Sequence, residues 1–280
     1  VEVQQRAVGA GWSLLRRVAV AANGSFATAL PTATAGVTDY RAVVPRSTWY
    51  AGASSATLNL VVRPPVPLSR FLMGAAYGAN TDPAPLETDA GVKVGIRRTY
   101  FTATQVAKAV TIAKADVALG RTPFVSFKLP YTWAEMAAGL GDAWARDAAN
   151  QLATVDGTVL VSLHHEPEHD QPDIRDWTAL QKRLAPYFDQ GHLDFGITLT
   201  GWNQFYSGDP TLTLESLYPY GAPIAFVALD PYQWYGTPKN ETKWTNLTDY
   251  YVRMQAFAET VDVEWGLAEF GISDAGFASP

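Results

Sequence analysis

From residue 70 onward, short apolar runs alternate with stretches whose apolar residues recur every three to four positions. The runs are RFLMGAAYG (70–78), VGIRRTYF (94–101), TPFVSFKL (122–129), TVLVSLHH (158–165), LDFGITLTG (193–201), IAFVALDP (224–231) and VEWGLAEF (263–270). Each has strand length and is rich in β-branched or aromatic residues. Between several of them, TATQVAKAVTIAKADVAL, TWAEMAAGL, DAWARDAANQLATV, DIRDWTALQKRLAPYF and LTDYYVRMQAFAET carry helical spacing. Strand and helix in turn predict a parallel sheet with right-handed crossovers. The pattern fits a (β/α)8 TIM barrel better than an open sheet, and no glycine-rich phosphate loop follows the first strand to favour a dinucleotide fold. A barrel takes eight strands. Only GISDAGFASP follows the seventh run, so either an eighth strand and its helix lie beyond residue 280 or the barrel is an unusual one.

Residues 1–63 have another period. VEVQQR and LNLVV (58–62) alternate apolar and polar positions, WSLLRRVAVAA runs into the turn signal NGS (23–25), and SFATAL and TDYRAVV (38–44) follow. This pattern predicts an all-β sandwich module. RPPVPLS (63–69) holds three prolines in seven residues, so 64–69 is expected to be a semi-rigid linker between that module and a barrel over 70–280.

Composition narrows the function classes. The chain of 280 residues is 48% hydrophobic and 17% charged, with no cysteine, which excludes thiolate and disulfide chemistry. No apolar run reaches the length of a membrane span, and VEVQQR alternates like a strand rather than a signal peptide. Residues 1–69 hold six Lys and Arg against two Asp and Glu; the rest holds fifteen against twenty-five. An acidic C-terminal part argues against nucleic acid as a partner.

HHEPEHD (164–170) poses the chemical question. It contains HEPEH, formally the H-E-x-x-H zinc-protease signature. That signature needs a helix from His165 to His169, so that both imidazoles share a face. Pro167 interrupts it, and no third ligand is set by spacing. The stronger reading puts Glu166 at the end of the fourth barrel strand and Glu269 at the end of the seventh. Barrel enzymes carry their catalytic groups at these ends, and two carboxylates across one mouth suit glycoside hydrolysis. Glu166 would then need a raised pKa and Glu269 a low one.

The segments LHHEP, ALDPYQWY and WGLAEFG make residues 70–280 similar to the clan A glycoside hydrolases, and most to glycoside hydrolase family 26, the β-mannanase family. The resemblance implies Glu166 as acid/base with His165 beside it, Glu269 as nucleophile and Tyr232 as the residue that orients it. It also implies an endo-β-mannanase-like, retaining hydrolase of β-linked polysaccharide that uses no metal and no organic cofactor. YRAVV and WYAGASSATLNLVV make residues 1–63 similar to bacterial immunoglobulin-like repeats. In such repeats VEVQQR is an interior strand, which implies a partial sandwich cut from a larger multidomain polypeptide, secreted or on a bacterial or phage surface.

Other candidates follow from position. In RRT (97–99) neighbours face opposite ways, and Arg98, nearer the strand end, is expected inside the barrel, where it would assist Glu269. Sugar rings present apolar faces to aromatic platforms, and Tyr77, Trp133, Trp202, Trp234 and Tyr235 follow strands. Asn203 is a candidate for binding hydroxyls. His164 reads as structural, Glu168, His169 and Asp170 as solvated loop charge with the cleft rim as the alternative, and Asp230 as a brace of its loop. The competing function is a non-catalytic carbohydrate-binding or adhesion module of a surface or phage-tail protein.

Overall fold

The computed structural model describes residues 1–7, 10–31, 36–62, 72–170 and 173–273. The chain divides into two compact units, Val1–Phe71 and Leu72–Pro280. The proline-rich stretch 64–69 lies outside the described residues.

In the first unit, β1 (Glu2–Ala7), β2 (Ser13–Arg17), β3 (Gly36–Val44), β4 (Ala53–Ser54) and β5 (Leu58–Val62) form one antiparallel sheet. β1 lies between β2 and β3, and β3 pairs with both β4 and β5. Among its described residues, Val3 and Tyr40 are the buried hydrophobic ones. Two guanidinium groups lie against the Trp12 ring, Arg6 at 4.6 Å and Arg41 at 4.2 Å, and Arg6 pairs with Asp39 at 2.9 Å. The expected sandwich is not what the described residues form: they make a single sheet, and SFATAL (25–30) forms no strand. Period-2 alternation specifies a strand with one apolar face, but not what covers that face.

The second unit is α/β. Its strands are β6 (Gly74–Ala76), β7 (Ile96–Phe101), β8 (Thr122–Phe127), β9 (Val159–Leu163), β10 (Leu193–Leu199), β11 (Phe226–Leu229) and β13 (Glu264–Leu267). They form one seven-stranded sheet in the order β13-β11-β10-β9-β8-β7-β6, parallel throughout. All seven apolar runs of the sequence map onto it. A small parallel pair, β12 (Tyr232–Gln233) with β14 (Gly271–Ile272), joins the loops after β11 and β13. The helices are α1 (Ala84–Ala90), α2 (Val106–Ala118), α3 (Trp133–Ala138), α4 (Asp142–Leu152), α5 (Ile174–Phe188), α6 (Trp202–Tyr206), α7 (Leu214–Leu217) and α8 (Leu247–Val261). None is long and apolar enough to cross a membrane.

Alternation along the strands sorts side chains between two faces. Val125, Phe127, Val161, Leu163, Ile197 and Leu199 face the helices and form the main core with Trp177, Leu184 and Phe188 of α5. α2 and α4 bury mainly alanine, namely Ala109, Ala113, Ala145, Ala148 and Ala149, which lets α2 lie close to β7 and β8 and α4 close to α2 and α5. Local signals begin and end the helices. Thr132 and Glu135 form a capping box at α3, while Asp173 and Asn246 cap α5 and α8. Arg97 points outward, where it and Arg121 share Asp116 at 3.1 and 3.3 Å, and Arg121 forks onto Glu87 of α1.

The opposite face closes on itself. Phe124 of β8 meets Phe226 of β11 edge-on at 5.3 Å, although β9 and β10 lie between those strands in the sheet. A flat sheet keeps such residues about 4.8 Å apart per strand interval, so contact across three intervals requires a curled sheet. The second unit is therefore a half-barrel, with β6 and β13 as its edges and no pairing between them among the described residues.

Tight strand packing depends on Gly196 of β10, where an added Cβ would run into the carbonyl and ring of Phe226. Gly196→Ala is expected to cost about 1–3 kcal/mol by overpacking. Gly266→Ala on β13, where an added Cβ meets nothing within 4 Å, is expected to be neutral or stabilising by up to about 1 kcal/mol. Urea unfolding of both variants measures the difference.

Candidate active site

The inward-facing residues of β7 are Ile96, Arg98 and Tyr100, because Arg97 and Phe101 are committed to the helix side. Arg98 is only 2% exposed. Its guanidinium lies over the Phe124 ring at 4.2 Å, Nε donates to the Tyr100 hydroxyl at 3.1 Å, and it makes ion pairs with Glu269 and Asp230, each at 3.6 Å. Asn80 fixes the backbone of Tyr100: its side-chain amide accepts from Tyr100 N and donates to Tyr100 O. It supplies the pairing that the short strand β6, ending at Ala76, no longer provides.

Glu269 lies two residues beyond β13. The Tyr100 hydroxyl donates to its Oε1 and the Tyr232 hydroxyl to its Oε2, the latter at 2.6 Å. Two phenols from opposite sides thus hold the carboxylate. The pairing of Tyr232 with Gly271 brings the second phenol there. Gly271 must lack a side chain, since a Cβ would come within 2.7 Å of the Tyr232 ring. Burial first, together with the carboxylate each donates to, pushes both phenols well above the usual tyrosine range. Both therefore remain donors across the neutral range.

His165 and Glu166 follow β9. The His165 ring lies 5.4 Å from that of Tyr100. Burial, and then the Arg98 and Lys128 charges, lower its pKa to about 4, so the imidazole is neutral at pH 7. Its Nδ1 is buried without a hydrogen-bond partner. The Glu166 N–H donates to Thr198 O at 3.0 Å. After burial and closer groups, the Glu166 charge also contributes to raising the pKa of Tyr232 and Asp230. Asp230, buried one residue past β11, is pushed well above the carboxylate range by burial, opposed by Arg98 and reinforced by Glu269, Glu166 and Glu168.

The aromatic candidates separate. Trp234 is 55% exposed and stacks on Tyr232 at 5.5 Å and 23°. Tyr235 packs edge-on against Trp244. Trp202 opens α6 after β10 and is 47% exposed, and Tyr77 is half-buried after β6. Trp133 does not fit a platform. It is 3% exposed, belongs to the main core and meets His164 edge-on at 5.0 Å, because the apolar face of α3 packs inward beside α5. Asn203 is buried, and its amide donates to Thr200 within the α6 turn. His164 pairs with Asp170 at 2.6 Å.

Glu168 departs from the solvated loop charge read from the sequence. Its Oε1 accepts from Thr200 N, Thr200 Oγ1 and Gln204 Nε2, and its Oε2 is buried. The acceptors' partners lie 32 to 36 residues away in the chain, beyond the reach of local pattern. Asp230 is less a loop brace than part of the charge cluster. Tyr100 was missed too, yet a signal existed: it follows Arg98 by two positions and so shares its face. In the H-E-x-x-H segment, Glu166 is left-handed and Pro167–His169 form a single 3-10 turn. The α-helical path the zinc signature needs is not formed; the His169 side chain lies outside the described residues.

No family model matches the chain, and no curated protein does. Among solved structures, a D-psicose 3-epimerase crystallised with D-fructose is similar at 8% identity and a TM-score of 0.38, over 74% of this chain and 88% of that one. AQ1208 from Aquifex aeolicus is similar at 16% identity and a TM-score of 0.32, over 71% of this chain; the match spans about half of that protein, 52%.

Proposed function

We propose that the second unit is a (β/α)8-type retaining glycoside hydrolase acting on β-linked polysaccharide, mannan-like by its sequence resemblance. The observation that carries this reading is the Glu269 carboxylate, held by two tyrosine hydroxyls beside a buried arginine, at the same sheet end as the His165–Glu166 pair. A carboxylate with both oxygens engaged by donors from separate strands is aimed rather than solvated, as a nucleophile needs to be. In the first step Glu269 attacks the anomeric carbon while Glu166 gives its proton to the leaving glycosidic oxygen. In the second, Glu166 takes a proton from water, which displaces Glu269 and releases the sugar. Trp234, stacked on Tyr232, offers the exposed ring face on which a sugar would lie. The first unit, as a partial immunoglobulin-like module of a longer surface or secreted protein, rests on its sequence resemblance.

A panel of β-linked polysaccharides tests the activity. Glu269→Ala and Glu166→Ala are each expected to lower kcat by about a thousandfold or more, since removing one group of a unit that acts together abolishes most of its effect. Azide should partly restore Glu269→Ala, and product NMR should show retained anomeric configuration. Full activity in both variants refutes the hydrolase. Saturable oligosaccharide binding with no turnover by the wild type would make this a carbohydrate-binding module instead. Tyr100→Phe and Tyr232→Phe, which each remove one donor to Glu269, are expected to lower kcat about 10–100-fold with little change in KM.

His165 generates a pH prediction. Its pKa in the fold is about 4, below the ordinary 6.5, so between these values the unfolded chain binds the extra proton. Stability therefore rises with pH across this window, is complete above it, and is lost as pH falls toward 4. Urea midpoints measured from pH 7 to 4 should fall less steeply in His165→Gln than in the wild type. An imidazole that titrates near 6.5 by NMR would contradict this assignment.

A further inference from the structure

Glu166 stands in a conformation that its local sequence opposes. Its backbone is left-handed, with φ 52° and ψ 58°, a region that side-chain-bearing residues avoid unless their surroundings over-determine it. Pro167 follows directly and restricts it further. The turn must therefore be held from outside.

Three tethers hold it. His164 N donates to Phe127 O of β8 at 2.9 Å, and Glu166 N donates to Thr198 O of β10 at 3.0 Å. The third is Glu168. Its Oε1 takes hydrogen bonds from Thr200 N at 2.8 Å, Gln204 Nε2 at 2.7 Å and Thr200 Oγ1 at 3.2 Å. Gln204 is itself fixed, accepting from Gly201 N at 2.7 Å and donating to Leu212 O at 3.0 Å. Glu168 has no ion-pair partner among the described residues, and its Oε2 is buried without a hydrogen-bond partner. A carboxylate in this setting is costly, and burial pushes its pKa up. What the site uses is one acceptor oxygen that binds the turn after β9 to the turn after β10.

We propose that Glu168 is a positioning residue: through its clamp on Thr200 and Gln204 it keeps Glu166 in the left-handed conformation from which that carboxylate serves the barrel mouth. The consequence for catalysis rests on the hydrolase reading above; the clamp itself does not. A neutral acceptor would do the same work, so glutamine should replace Glu168 and alanine should not.

The test uses the full chain and two readouts. In amide hydrogen exchange, Glu168→Ala is expected to speed exchange at Glu166 about tenfold, the loss of roughly one net hydrogen bond, while the β9 amides stay protected. Glu168→Gln should leave Glu166 near its wild-type rate. In kinetics, Glu168→Ala should lower kcat about 10–100-fold with KM within about twofold, the cost of a misplaced catalytic group, and Glu168→Gln should restore most of it. A purely structural role would lower the melting temperature but leave kcat per folded molecule and the Glu166 exchange rate unchanged, and that result overturns the proposal. If Glu168→Ala does not fold, Thr200→Val, which removes one donor to Glu168 along with the acceptor of Asn203, takes its place, with Asn203→Ala as the control for the second loss. Thr200→Val should shift both readouts in the same direction by about threefold, and wild-type values there overturn the proposal. A wild-type chain that hydrolyses nothing removes the hydrolase reading, and the exchange measurement still decides the clamp.

Discussion

The site is organised around a buried guanidinium. Arg98 is placed on the concave face of β7, under Tyr100 and over Phe124, where a charge is tolerated only if partners surround it. Those partners are Glu269, from beyond the far edge strand, and Asp230, from the end of β11. Their strands are separated from β7 by several others in the sheet order. The same curl that brings Phe124 against Phe226 therefore brings the acids to the arginine. If the sheet flattened, Arg98 would be stranded and Glu269 would lose both Tyr100 and its ion pair.

This arrangement sets the protonation states around the mouth. Burial keeps His165 neutral and the two phenols protonated, so Glu269 faces donors rather than competing bases. Burial and the neighbouring carboxylates raise the pKa of Asp230, and the Arg98 charge opposes them. The short β12–β14 pair completes the set, because it carries Tyr232 to Glu269 from the loop side. Gly271 is what permits the approach.

How much of this could be read along the chain depends on range. The seven strands were legible because each is a local run with its own period. Alternation put Arg97 and Arg98 on opposite faces, nearness to the strand end pointed to Arg98 as the inward one, and the same alternation reaches Tyr100. The positions of Glu166 and Glu269 just past strand ends were likewise visible. Trp133 shows the limit: an aromatic after a strand looks like a platform until the helix it opens turns its face to the core. Glu168 shows it again, since its charge looks solvated until Thr200 and Gln204 fold over it. The sandwich expected for residues 1–63 fails to appear among the described residues for a related reason, as strand alternation carries no information about a second layer.

The amino-acid order by itself determined the element types, the faces of the strands and the two acidic residues at strand ends, because these depend on neighbours within a few positions. Only the tertiary structure decided that the sheet curls, that two phenols and an arginine converge on one carboxylate, and that Glu168 is spent on a hydrogen-bonded clamp. Those outcomes depend on contacts between residues from 32 to 169 positions apart, and such contacts form only once the apolar faces of the helices and the sheet have fixed where each strand end must lie.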